Sequence, residues 1–163
     1  GYRDRLIIPF YFEGRVVGWT GRSVNPDKKP KYLTEVQPGY VYGLDEQGYA
    51  KSFAILCEGQ IDAIHIQGTA LGGSEINDQQ SMLLNRLQKQ IIVCPDRDKA
   101  GSKLVEQAID LGWSVSMPEW TEDICDIGEA VERYGRLYTL YSIANTAEDS
   151  PLKIRLRAKK WFA

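Results

Sequence analysis

The chain has 163 residues, of which 43% are hydrophobic and 26% charged, a composition typical of a soluble globular protein with one ordinary domain and a small appendage. No run approaches eighteen consecutive apolar residues and no signal peptide opens the chain, which excludes evident membrane or secreted classes and predicts a cytoplasmic protein. Three widely spaced cysteines and one histidine indicate neither a disulfide framework nor a zinc site.

The formal net charge of −2 conceals a segregation along the chain. Residues 1–51 carry eight basic and six acidic residues, 52–150 carry seven and sixteen, and 151–163 carry five and none. An acidic centre between basic ends suits an enzyme that holds cations with carboxylates and phosphates with lysine and arginine. An ordinary solvated surface with a basic linker explains the same charges.

The first fifty residues predict a small, mainly-β basic subdomain. "RLIIPFYF" and "RVVGWTGRS" indicate two strands joined by the tight turn "EG". A loop containing "NPDKKPKY" follows, and the turn formers of "PGYVYGLDEQGYA" argue against a long regular element.

From Lys51 onward, short apolar runs alternate with helical patterns. The runs are "SFAILC", "TALGG", "IIVC" and "WSVSM", and the helical patterns are "QIDAIHIQG", "NDQQSMLLNRLQKQ", "AGSKLVEQAIDLG" and "DICDIGEAVERYG". This alternation predicts an α/β domain at residues 51–140, with a parallel sheet of about four strands flanked by helices. The stretch "SPLKIRLRAKKWFA" fits either an edge strand or a helix, and residues 141–163 are predicted to be a basic tail or linker.

Acidic residues follow two of the predicted strands. Glu58 comes one residue after the first apolar run, and Asp96 and Asp98 come two and four residues after the third. If those strands are neighbours, the three carboxylates converge at one sheet edge, and a divalent cation would offset their repulsion. Oxygen ligands without His or Cys suit Mg²⁺ or Mn²⁺. Asp96 and Asp98 also suit turn and N-cap positions.

A family resemblance rests on "ILCEGQIDAI", "ALGG" and "IIVCPDRDKAGSKL". In order and spacing these resemble the Toprim domain of DnaG-type primases, topoisomerases and certain nucleases, in which a strand ends in Glu-Gly and a later strand ends in D-x-D. The matching positions are Glu58, Gly59, Asp62, Asp96 and Asp98. The resemblance implies a Toprim fold.

Two further stretches resemble primases in particular. "RDRLIIPFYFEGRVVGWTGRS" with "PKYL" resembles the segment before Toprim, which implies that Arg22 and Lys31 line the path of the template strand. "EDICDIGEAVERYG" resembles the stretch that completes the metal site, which implies Asp123 or Asp126 as a ligand. Arg97 stands where bacterial primases usually carry a small residue, a departure that fits a phage or plasmid primase.

The resemblance implies primer synthesis from ribonucleoside triphosphates on a single-stranded DNA template, with two Mg²⁺ or Mn²⁺ ions. The implied metal ligands and catalytic groups are Asp96 and Asp98, joined by Asp123 or Asp126 and by Glu58 as ligand or proton acceptor. Nucleotide contacts are predicted at Asp62, Lys99 and Gly101, and DNA contacts at Arg22, Lys31 and Tyr32, with Trp19, Arg3 and Arg5 as further candidates.

The resemblance also implies partners beyond this chain. Because the sequence starts at Gly1 rather than methionine, we expect a fragment of a longer protein, with a zinc-binding module and a replicative helicase as companions. Two alternatives remain open, a Toprim nuclease and a non-catalytic DNA- or nucleotide-binding protein. The primase-like first fifty residues argue against the nuclease, and the retained cluster of repelling acids argues against a decayed site.

Overall fold

A computed structural model describes all 163 residues. The chain begins with a three-stranded antiparallel sheet. Its strands are β1 (Arg5–Phe12), β2 (Arg15–Ser23) and β3 (Tyr32–Val36), in the order β1-β2-β3. The predicted hairpin is confirmed, and its turn residues Glu13 and Gly14 both have positive φ and donate their N–H groups to Asp45. The sequence did not predict β3, because the prolines and lysines before it indicate a loop.

The second sheet is parallel and has the strand order β5-β4-β6-β7. Its strands are β4 (Phe53–Cys57), β5 (Thr69–Ala70), β6 (Gln90–Val93) and β7 (Ser114–Val115). The helices are α1 (Gln60–Ile66), α2 (Asp78–Asn85), α3 (Lys99–Asp110), α4 (Ile127–Tyr134), α5 (Arg136–Asn145) and α6 (Pro151–Trp161). All four predicted apolar runs are strands, and the α/β fold class is confirmed.

The two central strands form the middle of the hydrophobic core. Leu56 of β4 and Val93 of β6 are paired in register and have no solvent exposure. Strands buried on both faces by flanking helices read as continuous apolar runs, which is why the sequence shows no polar alternation here. The outer strands β5 and β7 are only two residues long, and each ends the sheet beside an isolated antiparallel bridge, Tyr42 to Ala70 and Val115 to Glu148.

Side-chain caps set where three of the helices begin. Asn77 forms a capping box at the start of α2, Asp98 accepts an N–H of α3, and Asp126 accepts an N–H of α4. Each cap satisfies a backbone donor that has no partner inside its helix. Two of these capping residues, Asp98 and Asp126, are also predicted metal ligands, and of the two only Asp126 lines the cleft between the two sheets.

The C-terminal segment is an integral part of the parallel-sheet domain. Residues 151–161 form α6, which resolves the choice between strand and helix, and Ile154 is fully buried while Trp161 is 6% exposed. Both side chains belong to the core cluster, and Arg155 pairs with Glu106 of α3 at 3.0 Å. Residues 151–161 are therefore a packed helix and not the predicted tail or linker. Ile154 and Trp161, seven residues or two helical turns apart, form its buried face among the basic residues.

Aromatic contacts fix the antiparallel sheet against the parallel-sheet domain. Phe10 of β1 packs edge-on against Tyr42 with 5.6 Å between ring centroids, and Phe12 packs on Tyr40 at 5.5 Å. Tyr42 in turn exchanges two backbone hydrogen bonds with Ala70, at the end of β5. The two sheets therefore enclose a cleft on this side of the molecule. No helix combines the length and the apolar character needed to cross a membrane.

Candidate catalytic cleft between the two sheets

A cleft of about 760 Å³ lies between the antiparallel sheet and the carboxyl ends of β4 and β6. One wall carries basic and aromatic side chains from β2 and β3, and the other carries acidic side chains from the parallel-sheet domain. The predicted site residues that line it are Arg22, Lys31, Tyr32, Glu58, Asp62, Asp96 and Asp126. Polar ligands bind at this edge of α/β sheets.

Glu58 and Asp96 lie on neighbouring strand ends. β4 and β6 are adjacent and parallel, and the N–H of Cys94 donates to the carbonyl of Leu56 at 2.9 Å, so the two following acids come close together. Burial raises the pKa of Glu58 to about 7, with repulsion from Asp98 adding to it. Burial likewise raises the pKa of Asp96 to about 8, and the charge of Glu58 is the next cause. A positive charge placed between these two acids would favour their ionised forms.

The donor chemistry of this acidic wall fits a hard divalent cation. Oε1 of Glu58 is buried and has no hydrogen-bond partner, although a buried carboxylate oxygen normally has one. The neighbouring ligand candidates are all carboxylate oxygens, which suit Mg²⁺ and Mn²⁺. As the side chains stand, no three His, Cys, Asp or Glu residues are arranged to hold a metal ion. The cluster therefore has suitable donors without being a preassembled coordination shell.

Asp98 performs the capping role that the sequence offered as an alternative. Its Oδ1 accepts the N–H of Gly101 at 2.8 Å, and its side chain does not line the cleft. It still lies close enough to raise the pKa of Glu58. The cap uses one carboxylate oxygen, so the N-cap and ligand interpretations are compatible.

The two residues predicted to contact nucleotide after the D-x-D motif are not in the cleft lining. Lys99 is exposed on the first turn of α3. Gly101 is buried, and a Cβ atom there would collide with the carbonyl oxygen of Asp96. Close packing of α3 against the D-x-D turn is thus a sufficient physical reason for this glycine.

Asp62 and Asp126 lie together at the N-terminus of α4. Asp62 Oδ1 accepts the N–H of Gly128 at 2.8 Å, and Asp126 Oδ1 accepts the N–H of Glu129 at 2.7 Å. Burial raises the pKa of Asp62, and the charge of Asp126 adds to the effect. Both carboxylates are therefore held by one helix terminus while facing the cleft.

Asp123, the other acid offered by the sequence as a ligand, lies outside this cleft. It is exposed, forms an ion pair with Arg133 at 2.8 Å, and lines a second cavity of about 700 Å³. Hydrogen bonding from the Thr121 hydroxyl, followed by Arg133, lowers the pKa of its carboxyl group. Of the two candidates, Asp126 is the one that shares the cleft with Glu58 and Asp96.

The opposite wall carries the predicted DNA-contacting residues. The guanidinium carbon of Arg22 lies 5.8 Å from the Tyr32 ring centroid, and Nζ of Lys31 lies 5.7 Å from it. Burial raises the pKa of Tyr32 above its usual value. Two cations grouped on a half-buried aromatic ring can contact both a phosphate and a base.

The three further candidates for DNA contact do not line the cleft, and Arg3 is exposed and lies 4.0 Å from the Asp4 carboxylate. Arg5 donates to the carbonyls of Gly21 and Pro30 at 3.0 and 2.7 Å, so its guanidinium ties the N-terminal sheet to the loop before β3. Trp19 packs edge-on against Tyr2 at 6.3 Å and does not line the cleft.

Several cleft residues were not predicted from the sequence. The loop after β5 contributes Gly72, whose φ of 72° is positive and where a Cβ would lie 2.6 Å from the side-chain nitrogen of Gln60. His65 is exposed in the cleft, one turn after Asp62, and it only partly offsets the burial that raises the pKa of that acid. In the sequence, Gly72 and Gly73 directly after the predicted strand were the signal that could have indicated this loop.

Comparison with known proteins gives consistent similarities. Residues 55–126 match the Toprim-like family. The chain is 30% identical over 158 residues to a DNA primase of Aquifex aeolicus and 33% identical over 126 residues to one of Synechococcus elongatus. These alignments cover 83% and 66% of this chain but only 32% and 18% of the two relatives, so the chain spans about a third or less of their length.

A solved structure extends the similarity to nearly the whole chain. The zinc-binding and RNA polymerase domains of the Aquifex aeolicus primase superpose with a TM-score of 0.77 at 26% identity. The match covers 98% of this chain and 44% of that one. The antiparallel sheet, the parallel sheet and α6 therefore all fall within the matched region.

Proposed function

Because the chain carries a Toprim-like domain at residues 55–126 and is homologous to DnaG-type DNA primases, we propose that it is the catalytic core of a primase. Its reaction would be the synthesis of short RNA primers from ribonucleoside triphosphates on a single-stranded DNA template. The observation that carries the proposal is the pairing, across one cleft, of the crowded acids with the basic wall around Tyr32.

The acidic wall would hold two Mg²⁺ or Mn²⁺ ions. Such ions, when bound, activate a hydroxyl for attack and neutralise charge on the transferred phosphoryl group. Asp96 and Glu58 are the primary candidates as ligands because both are crowded, and Glu58 has an oxygen without a partner. Asp126 and Asp98 would each offer the oxygen that does not cap a helix.

Glu58 has a second possible role as a proton acceptor. A carboxyl group with a pKa of about 7 changes ionisation near neutral pH, as a general base for a ribose hydroxyl should. A bound cation would lower that pKa and shift Glu58 toward the ligand role. Asp62 would position Asp126 by holding the start of α4.

The basic wall would hold the template strand. Arg22 and Lys31 would contact phosphates, and the exposed part of the Tyr32 ring would stack on a base. Binding should weaken steeply as salt rises, because each phosphate contact releases counterions. We expect Arg22→Ala to reduce the slope of log affinity against log salt by about 0.7 for a single strand.

The salt dependence has a matched control elsewhere on the molecule. Lys159 is an exposed basic residue of α6 far along the chain from this wall, so Lys159→Ala removes the same charge without touching the cleft. Fluorescence anisotropy with a labelled oligonucleotide measures both slopes. Equal slopes for wild type and Arg22→Ala would exclude Arg22 from the template path.

The activity test uses a single-stranded template, labelled ribonucleotides and Mn²⁺ or Mg²⁺. We expect short RNA products from the wild-type chain and none from Asp96→Asn, whereas Asp27→Asn, an exposed substitution of the same kind, should keep full activity. Cut template in place of RNA would indicate a Toprim nuclease instead. Full synthesis by Asp96→Asn would refute the proposed site.

A further inference from the structure

Arg97 separates the two aspartates of the D-x-D motif and holds that turn from three directions. Its backbone N–H donates to the carbonyl of Cys125 at 2.8 Å, the residue directly before Asp126. Its guanidinium donates to the carbonyl of Thr121 at 3.0 Å and lies 3.9 Å from the ring centroid of Trp161. One residue thus connects the end of β6, the loop before α4 and the last residue of α6.

We propose that Arg97 and Trp161 are positioning residues that set the distance between Asp96 and Asp126, and thereby the affinity of the cleft for divalent cations. The inference rests on the proposed function, because it assigns both acids to the metal. Arg97 is adjacent to Asp96 in the chain, and its partner carbonyl is adjacent to Asp126. That backbone bond remains in every side-chain variant, and the guanidinium adds the contacts with the Thr121 carbonyl and Trp161. Loss of these side-chain contacts would loosen the loop that carries Asp126 relative to the D-x-D turn, as happens when groups behind metal ligands are removed.

Trp161 contributes its ring face rather than its polar group. Its indole N–H is buried without a hydrogen-bond partner, although a buried tryptophan normally has one. The ring is 6% exposed and packs against the ring of Trp120 at a centroid distance of 6.0 Å. The face of the indole ring can still bind the Arg97 cation when its N–H is unpaired, and the ring of a phenylalanine can do the same.

The direction in which cation affinity changes when Arg97 is removed distinguishes a positioning role from a direct electrostatic effect. The guanidinium of Arg97 points toward Trp161 and the Thr121 carbonyl, and Arg97 does not line the cleft. If its charge acted on the site, removing it would lower the repulsion of a cation and tighten metal binding. A positioning role predicts the opposite, weaker binding.

The experiment measures Mn²⁺ binding to the full chain by electron paramagnetic resonance of the free ion, at a temperature where circular dichroism shows each variant folded. We expect Arg97→Ala and Trp161→Leu each to lower Mn²⁺ affinity by at least about tenfold. Trp161→Phe should stay within about threefold of wild type, because it keeps a ring face and removes only an unpaired N–H.

A second tryptophan is the matched control for lost packing. Trp113 is also 6% exposed, but it follows the C-terminal end of α3, whereas the motif precedes the N-terminal end, and it donates its indole N–H to Asn85 at 2.9 Å. Trp113→Leu should destabilise the fold as Trp161→Leu does while leaving Mn²⁺ affinity within about threefold of wild type. If Trp161→Leu does not fold, Arg97→Ala decides the question, since Arg97 is only partly buried.

Three outcomes overturn the inference. Wild-type affinity in Arg97→Ala, or tighter binding, would show that the residue does not position the acids. An equal loss in Trp113→Leu would reduce the effect to general stability. A wild-type chain that binds no Mn²⁺ would overturn the proposed function together with this inference, whereas normal wild-type binding with unaffected variants would overturn this inference alone.

Discussion

Asp96→Asn should stabilise the metal-free protein, and the gain should grow with pH. The pKa of Asp96 is raised to about 8 in the fold, against 3.8 for an ordinary aspartate. Between those values the unfolded chain has lost the proton and the folded chain keeps it, so wild-type stability falls as pH rises and levels off above about pH 8. Asparagine does not titrate and avoids this loss.

The size of the effect follows from linkage. Each pH unit in this window costs about 1.4 kcal/mol, so a rise from about pH 5 to about pH 8 costs at most about 4 kcal/mol. Water in the open cleft and coupling to Glu58 reduce the cost, and we take half, about 2 kcal/mol. For a chain of this size that corresponds to a difference of about 4–8 °C in melting temperature.

The assay is thermal unfolding by circular dichroism in chelator-treated buffer at both pH values. The melting temperature of Asp96→Asn minus that of wild type should increase by about 4–8 °C from the lower to the higher pH. Asp27→Asn, at an exposed aspartate, should show no such increase. A difference that is independent of pH would refute the crowding of the acids. Mn²⁺ should raise the melting temperature of the wild type at about pH 8 more than that of Asp96→Asn.

Three other substitutions test the framework of the site. Gly101→Ala should destabilise the fold by about 1–3 kcal/mol in urea unfolding because its Cβ collides with the preceding turn, whereas Gly48→Ala, at an open position, should be nearly neutral. Ile154→Ala should cost about 2–5 kcal/mol in the same experiment and the exposed Leu152→Ala about 0.5 kcal/mol or less, unless α6 is only a loosely attached tail. Asp62→Ala should cost about 1–3 kcal/mol because the N–H of Gly128 loses its acceptor, whereas Asp62→Asn keeps an acceptor oxygen and should cost less; an unchanged urea midpoint in Asp62→Ala would contradict that role.

The central strands and their acids were predictable because two independent signals agree. β4 and β6 are apolar runs of strand length, and parallel strands must place their carboxyl ends on one edge, so the approach of Glu58 and Asp96 follows once the strands are neighbours. The family resemblance supplied the neighbour relation that spacing alone does not contain. The predicted roles of the individual acids remain predictions.

Other parts depended on contacts that one-dimensional patterns do not carry. Asp123 and Asp126 are three residues apart in an irregular loop, and only the backbone path sends one toward Arg133 and the other into the cleft. β3 was missed because its pairing with β2 outweighs the turn-forming residues before it. The stacking of Arg97 on Trp161 joins residues 64 positions apart, and neither residue shows it in its local sequence.

The two bridges at the borders of the parallel sheet have a consequence for how the protein behaves in concentrated solution. Tyr42 occupies the outer side of β5 and Glu148 the outer side of β7, and each exchanges a reciprocal pair of backbone bonds there. At these two positions a neighbouring molecule therefore finds no free backbone groups onto which it can add a strand. Because the edge strands are only two residues long and each is bridged on its outer side, this apolar sheet is protected against pairing with the sheet of another molecule.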